Sequence, residues 1–154
     1  MQRSGTKVPV AAAWLGGLGA VPFVALAGAT VGLDGAARAV VGPALVAYGA
    51  AILSFLGGIH WGLAVEPAAA LGGAALRTRL AGSVVPSLVG WAALLVPPTV
   101  GLPVLAAAFA AMLAVDLRAA RIGAAPAWYP ALRLPLSVTV VASLLLATFA
   151  LRTA

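Results

Sequence analysis

Five long apolar runs decide what this chain can fold into. They cover roughly residues 9–31, 39–65, 80–97, 102–117 and 134–151. A helix of about 20 apolar residues, within a range of about 17–25, crosses the hydrocarbon core of a bilayer. The runs therefore predict one all-α domain over residues 1–154, a bundle of five transmembrane helices. The fourth run is the shortest, and Arg118 and Arg121 can extend it by snorkelling to the headgroups. Only 8% of the residues are charged and 64% are hydrophobic, with a mean hydropathy of +1.14. A soluble domain carries about 25% charged residues, so the solvent this chain matches is lipid.

The breaks between runs carry turn chemistry. "GLDGAAR" (32–38) places an aspartate between glycines. "EPAAALGGAALRTR" (66–79) opens on Glu66-Pro67, which stops a helix. "PPTVGLP" (97–103) reads as a tight hairpin. "DLRAARIGAAPAWYPALR" (116–133) reads as the longest connection, with Trp128 and Tyr129 as an interfacial anchor. The first run exceeds the about 7–15 residues of a signal-peptide core. It reads as a retained helix, although "AGA" at 27–29 resembles a cleavage site.

The net charge is +6, from nine Lys and Arg against three acids. The bases sit singly at the ends of apolar runs, so they read as topology determinants rather than a nucleic-acid surface. With the N-terminus inside, seven lie on the inner side: Arg3, Lys7, Arg77, Arg79, Arg118, Arg121 and Arg133. Arg38 and Arg152 lie outside. The bias predicts an N-terminus inside and a C-terminus outside. There is no cysteine, which excludes disulfides, thiol catalysis and cysteine-ligated metals.

Chemistry-bearing residues are few. The single histidine, His60, lies in "SFLGGIHWGL" (54–63), with Ser54 and Trp61. At about 100° per residue His60 shares a helix face with Gly49, Leu53, Leu56 and Gly57. Gly49, Gly57 and Gly58 would let another backbone approach. His60 should thus point into the bundle, about one turn below the inner interface, in one layer with Asp116, Glu66, Arg77 and Arg79. One reading makes it a structural hydrogen bond across helices, with Asp116 as partner. The other makes it a proton or ligand group, since ionisable residues in membranes are functional candidates. Ser83, Ser87 and Gly90 form a packing stripe on the third run, with Trp91 beside it. Pro22 and Pro86 fall mid-span and should kink their helices. Asp116 reads as locally paired with Arg118 and Arg121. No paired carboxylates, Ser/His/Asp set, HExxH or P-loop occurs, so the expectation is a non-enzymatic protein without metal or cofactor.

"PFVALAG" (22–28), "AYGAAILSFLGGIHWGLA" (47–64), "VPSLVGWAALLVP" (85–97) and "PAWYPALRLPLSVTV" (126–140) resemble the DUF3429 family of small integral membrane proteins. The resemblance covers roughly residues 14–150, with "SFLGGIHWG" its most specific block and "PAWY…LRL" the next. It implies a polytopic inner-membrane protein and supplies no mechanism. It makes His60 and Trp61 part of a family motif and places the first helix inside the domain.

The leading expectation is an accessory, assembly or scaffold protein of the bacterial cytoplasmic membrane, packing against itself or other membrane subunits. The second is a small transporter with His60 near an inner-leaflet pocket. The third is a binder of quinone or lipid, with Trp61, Tyr48 or Trp91 lining the site.

Overall fold

The computed structural model describes residues 7–65 and 72–153. These residues form five helices and no strand: α1 (Val10–Gly32), α2 (Gly35–Val65), α3 (Gly73–Leu94), α4 (Pro98–Arg121) and α5 (Tyr129–Arg152). Four of them, α1, α2, α4 and α5, are long and apolar enough to cross a membrane. Large apolar side chains such as Trp14, Val40, Phe55, Leu88, Trp91 and Phe149 cover the outside of the bundle. A surface of that kind is stable against acyl chains and not against water. The chain is a multi-pass membrane protein.

The third helix departs from the expected span of 80–97. It starts earlier, at Gly73, so Arg77 and Arg79 lie within its first two turns. It stops at Leu94, ahead of Pro97 and Pro98. Its apolar part is therefore shorter than that of the other four. The tight hairpin expected at "PPTVGLP" joins α3 and α4, with a connection of residues 95–97 that is shorter than that stretch. Pro98 opens α4, where a missing N–H costs nothing, and Pro103 follows inside the helix. The connection expected over 116–133 is mostly helix: α4 runs on to Arg121 and α5 begins at Tyr129. Asp116 and Arg133 thus stand on helices, not in a loop. Of the 66–79 connection, residues 72–79 belong to the start of α3 and its cap, while Glu66 and Pro67 lie outside the described residues.

The helices close a ring in the order α1–α5–α4–α3–α2, with α2 and α4 also touching across its middle. Phe23, Leu45, Leu53, Leu102, Leu105, Phe109 and Leu144 are almost fully buried there. Phe23 meets the rings of Tyr48 and Phe109 edge-on, at centroid distances of 5.0 and 5.7 Å. At one end of the bundle Arg38 donates through Nη2 to the Ala150 carbonyl, and Arg152 donates to the Thr99 carbonyl at 3.1 Å. The Ala150 carbonyl lies in the open last turn of α5, and the Thr99 carbonyl is left open because Pro103, four residues on, has no N–H.

The α2–α3 seam explains the glycines. A Cβ on Gly57 would collide with the Ser83 carbonyl oxygen and touch Pro86. A Cβ on Gly90 would come within 3.1 Å of the Ala50 carbonyl oxygen. Both neighbours are backbone, which cannot step aside. Gly49 faces Leu105 on α4, with a Cβ-to-Cδ1 distance of 2.9 Å. Gly58 does not belong to this set. It is exposed, and nothing lies within 4 Å of its would-be Cβ. One residue along a helix turns the side chain by about 100°, which carries Gly58 off the face that Gly57 presents.

Gly57→Ala is therefore expected to cost about 1–3 kcal/mol, the usual range for forced overpacking. Gly58→Ala should leave stability unchanged or slightly raised, because alanine is the better helix former. Thermal unfolding of the two variants in detergent checks the contrast.

Candidate functional site

The chemistry of the molecule collects at the end of the bundle where α2 and α4 finish and α5 begins. Asp116 lies on the inward face of α4 and is 1% exposed. Its two carboxylate oxygens are divided between two helices. His60 Nε2 on α2 lies 2.8 Å from Oδ1, and Arg133 Nε on α5 lies 2.6 Å from Oδ2. A carboxylate in a membrane interior persists only when paired, and here it is paired twice.

An ionised carboxylate can only accept, so Nε2 of His60 donates to it, and Nδ1 is left for a second partner. His60 is only partly buried, at 15% side-chain exposure. The arginine is held more deeply. With Nε on Asp116, Arg133 Nη2 is buried and finds no partner among the described residues. The Ser137 hydroxyl is in the same condition, and the Tyr129 hydroxyl lies against Asp116 without a well-aligned hydrogen bond. Tyr129, Arg133 and Ser137 occupy successive turns of one face of α5.

Two cavities flank this cluster. One, of about 450 Å³, lies between α2, α3 and α4 and reaches His60. Arg79, Arg118, Thr78 and Ser83 contribute its polar wall. Among the described residues the wall holds no acid. The other is a groove of about 370 Å³, bounded chiefly by α1, α2 and α5 and lined by Tyr129, Arg133 and Ser137 among apolar side chains.

The sequence-nominated residues fall into three groups. His60 and Asp116 meet directly. Tyr48 serves the core: its hydroxyl donates to the Gly19 carbonyl at 2.9 Å. Ser54 is half-buried on α2 and lines neither cavity. Trp61 and Trp91 are exposed, at 47% and 61%. They face outward rather than into a pocket, because α2 and α3 bury the neighbouring faces that carry Gly57 and Gly90. Ser83 is buried and donates to the Leu80 carbonyl of its own helix at 2.7 Å, whereas Ser87 is half-buried.

Two expectations are corrected. Asp116 does not pair with Arg118, which is exposed on the cavity wall. Positions i and i+2 of a helix do not face each other. Tyr129 is not an interfacial anchor but is 7% exposed. Arg133, Tyr129 and Ser137 were absent from the sequence-derived set of site residues. Their spacing of four within an apolar run is the signal that could have found them.

Removing the Asp116 carboxylate strands the Arg133 charge. Asp116→Leu alone should cost about 3–5 kcal/mol, while Asp116→Leu combined with Arg133→Met should be much milder. A double-mutant cycle on unfolding in detergent measures the difference.

Comparison with known proteins places this site in a family. A family model described as "Protein of unknown function (DUF3429)" matches residues 8–149. Transmembrane protein 69 of Xenopus tropicalis is 36% identical over 139 residues, covering 88% of this chain and 53% of that protein. The chain thus spans about half the length of that curated relative. No solved structure matches it significantly. The match takes in all of α1, α2, α3 and α4 and nearly all of α5, with the whole Asp116 cluster, and the chain belongs to the DUF3429 family.

Proposed function

We propose that this protein is a non-enzymatic carrier or binding protein of the bacterial cytoplasmic membrane, taking an anionic ligand in the cavity that reaches His60. The observation that carries the reading is the cavity's wall: Arg79 and Arg118 stand on its flanks and His60 adjoins it, with Asp116 on the far side of the imidazole. Two fixed cations around a concave site attract and hold an anion. The Asp116 charge is balanced by Arg133, so it opposes that attraction little. His60 can accept a proton or a hydrogen bond at Nδ1 without leaving Asp116.

In this reading all five helices cross the membrane, with the N-terminus inside and the C-terminus outside. Support for α3 as a span comes from its register on α2, where Gly57 faces Ser83 and Ala50 faces Gly90. The two helices share depth over that length. Arg77 and Arg79 then reach the inner headgroups by snorkelling, which sets the cavity mouth at that surface.

An accessory or scaffold role is the second reading, and α1 favours it. Only Phe23, Ala27 and Thr30 of that helix are buried, and Gly17 and Gly28 are exposed with nothing within 4 Å of a would-be Cβ. Small residues on an outer face permit close helix association. Against it, Gly49, Gly57 and Gly90 are consumed inside the bundle.

The test is thermal unfolding of the purified protein with dioctanoyl phosphatidate or inorganic phosphate. Stabilisation that is lost in Arg79→Gln and Arg118→Gln supports the reading, and the more effective probe tells a lipid headgroup from a free anion. Absence of any stabilisation, with a stoichiometric membrane partner recovered from native membranes, overturns it in favour of the accessory role.

A further inference from the structure

The groove on the other side of the cluster has a different character. Its volume of about 370 Å³ falls in the ordinary size range of small-molecule sites. Leu15 and Phe55 on its walls are also exposed on the outside of the bundle. The groove is thus entered sideways from the acyl chains, without passage through water. Gly16, Gly19 and Ala20 make the α1 wall small.

One strip of this apolar groove is polar. Tyr129, Arg133 and Ser137 line it, and they are 7%, 7% and 1% exposed. Arg133 Nη2 and the Ser137 hydroxyl lack a partner among the described residues, and the Tyr129 hydroxyl lies against Asp116 without a well-aligned hydrogen bond. A buried donor without an acceptor is costly, and more so in a bilayer, where no water can take its place. A single such atom could be incidental. Three polar atoms on adjacent turns of one helix, along one groove, form a row that the described residues leave without a well-aligned hydrogen bond.

We infer that this groove binds an amphiphile from the bilayer, with its neutral carbonyl head on Tyr129, Arg133 and Ser137 and its apolar body along α1 and α2. The head is an acceptor because Arg133 Nη2 can only donate, and the Tyr129 and Ser137 hydroxyls can donate to the same head. It is neutral because the Arg133 charge is already matched by Asp116 at 2.6 Å. The inference does not rest on the anion cavity at His60, from which the Asp116 pair separates it.

Decylubiquinone is a suitable probe, with two ring carbonyls and an alkyl tail. Its binding to the full chain in detergent is read by quenching of tryptophan fluorescence, since Trp128 lines the groove. Palmitate and dodecane, as competitors, represent an anionic head and no head. The expected result is saturable quenching that dodecane fails to displace and palmitate displaces weakly. Tyr129→Phe and Ser137→Ala should each weaken binding about five- to tenfold, the range for one lost hydrogen bond. Ser137→Ala should not lower the unfolding temperature of the unliganded protein, because it removes an atom that has no hydrogen-bond partner among the described residues. Unchanged affinity in both variants overturns the inference. So does equal displacement by dodecane, or a preference for palmitate.

Discussion

The Asp116 carboxylate is the constraint around which the rest of the bundle is arranged. A lone charge at that depth would cost several kcal/mol. Asp116 is held instead by His60 from α2 and Arg133 from α5. The carboxylate has only two oxygens and each is engaged. This fixes the relative rotation of three helices at one end of the bundle, because turning any of them by one residue would move its side chain about 100° away. The cluster acts as a register pin in a molecule whose remaining contacts are largely non-directional.

What the ion cluster does at one end, close backbone contact does along the middle. Van der Waals packing of small residues is the main attraction between helices in lipid. The α2–α3 seam is built that way, with Gly57 on Ser83 and Gly90 on Ala50. At the far end Arg38 and Arg152 bond helix carbonyls. Arg38, which charge counting treats only as a topology signal, therefore also ties the start of α2 to the end of α5. The bundle is directional at both ends and close-packed between them.

The helices were legible in the sequence because a membrane enforces a minimum apolar length. Four of the expected spans match helices long enough to cross. Boundaries were less legible where polar residues lie inside helices. Asp116 reads as the last turn of the fourth span and Arg133 as a loop residue, because charges usually mark the ends of apolar runs. Here they neutralise each other within the fold, which a one-dimensional pattern cannot display. The inward face of His60 followed from helical periodicity, since Gly49, Leu53, Leu56 and Gly57 share it. Its partnership with Asp116 was one of two open readings, because pairing across 56 residues depends on how the helices are arranged. Trp61 and Trp91 were misplaced for a related reason. An aromatic in an apolar run suits lipid and cavity equally, and only the rotation of its helix decides.

The same cluster explains why the two cavities differ. Asp116 sits between them, with its imidazole partner beside the α3 side and its guanidinium partner beside the α1 side. Nδ1 of His60 can accept on one side, while Arg133 Nη2 can only donate on the other. One carboxylate thereby orients an acceptor toward a cavity with arginines at its wall and a donor toward a groove entered from lipid. A purely structural pin would have no reason to leave Arg133 Nη2 and the Ser137 hydroxyl without a hydrogen bond among the described residues on one face, since a leucine at 137 would pack there without that cost. On the inference drawn above, the hydrogen-bonding capacity left over on this face is completed by the head of the bound amphiphile.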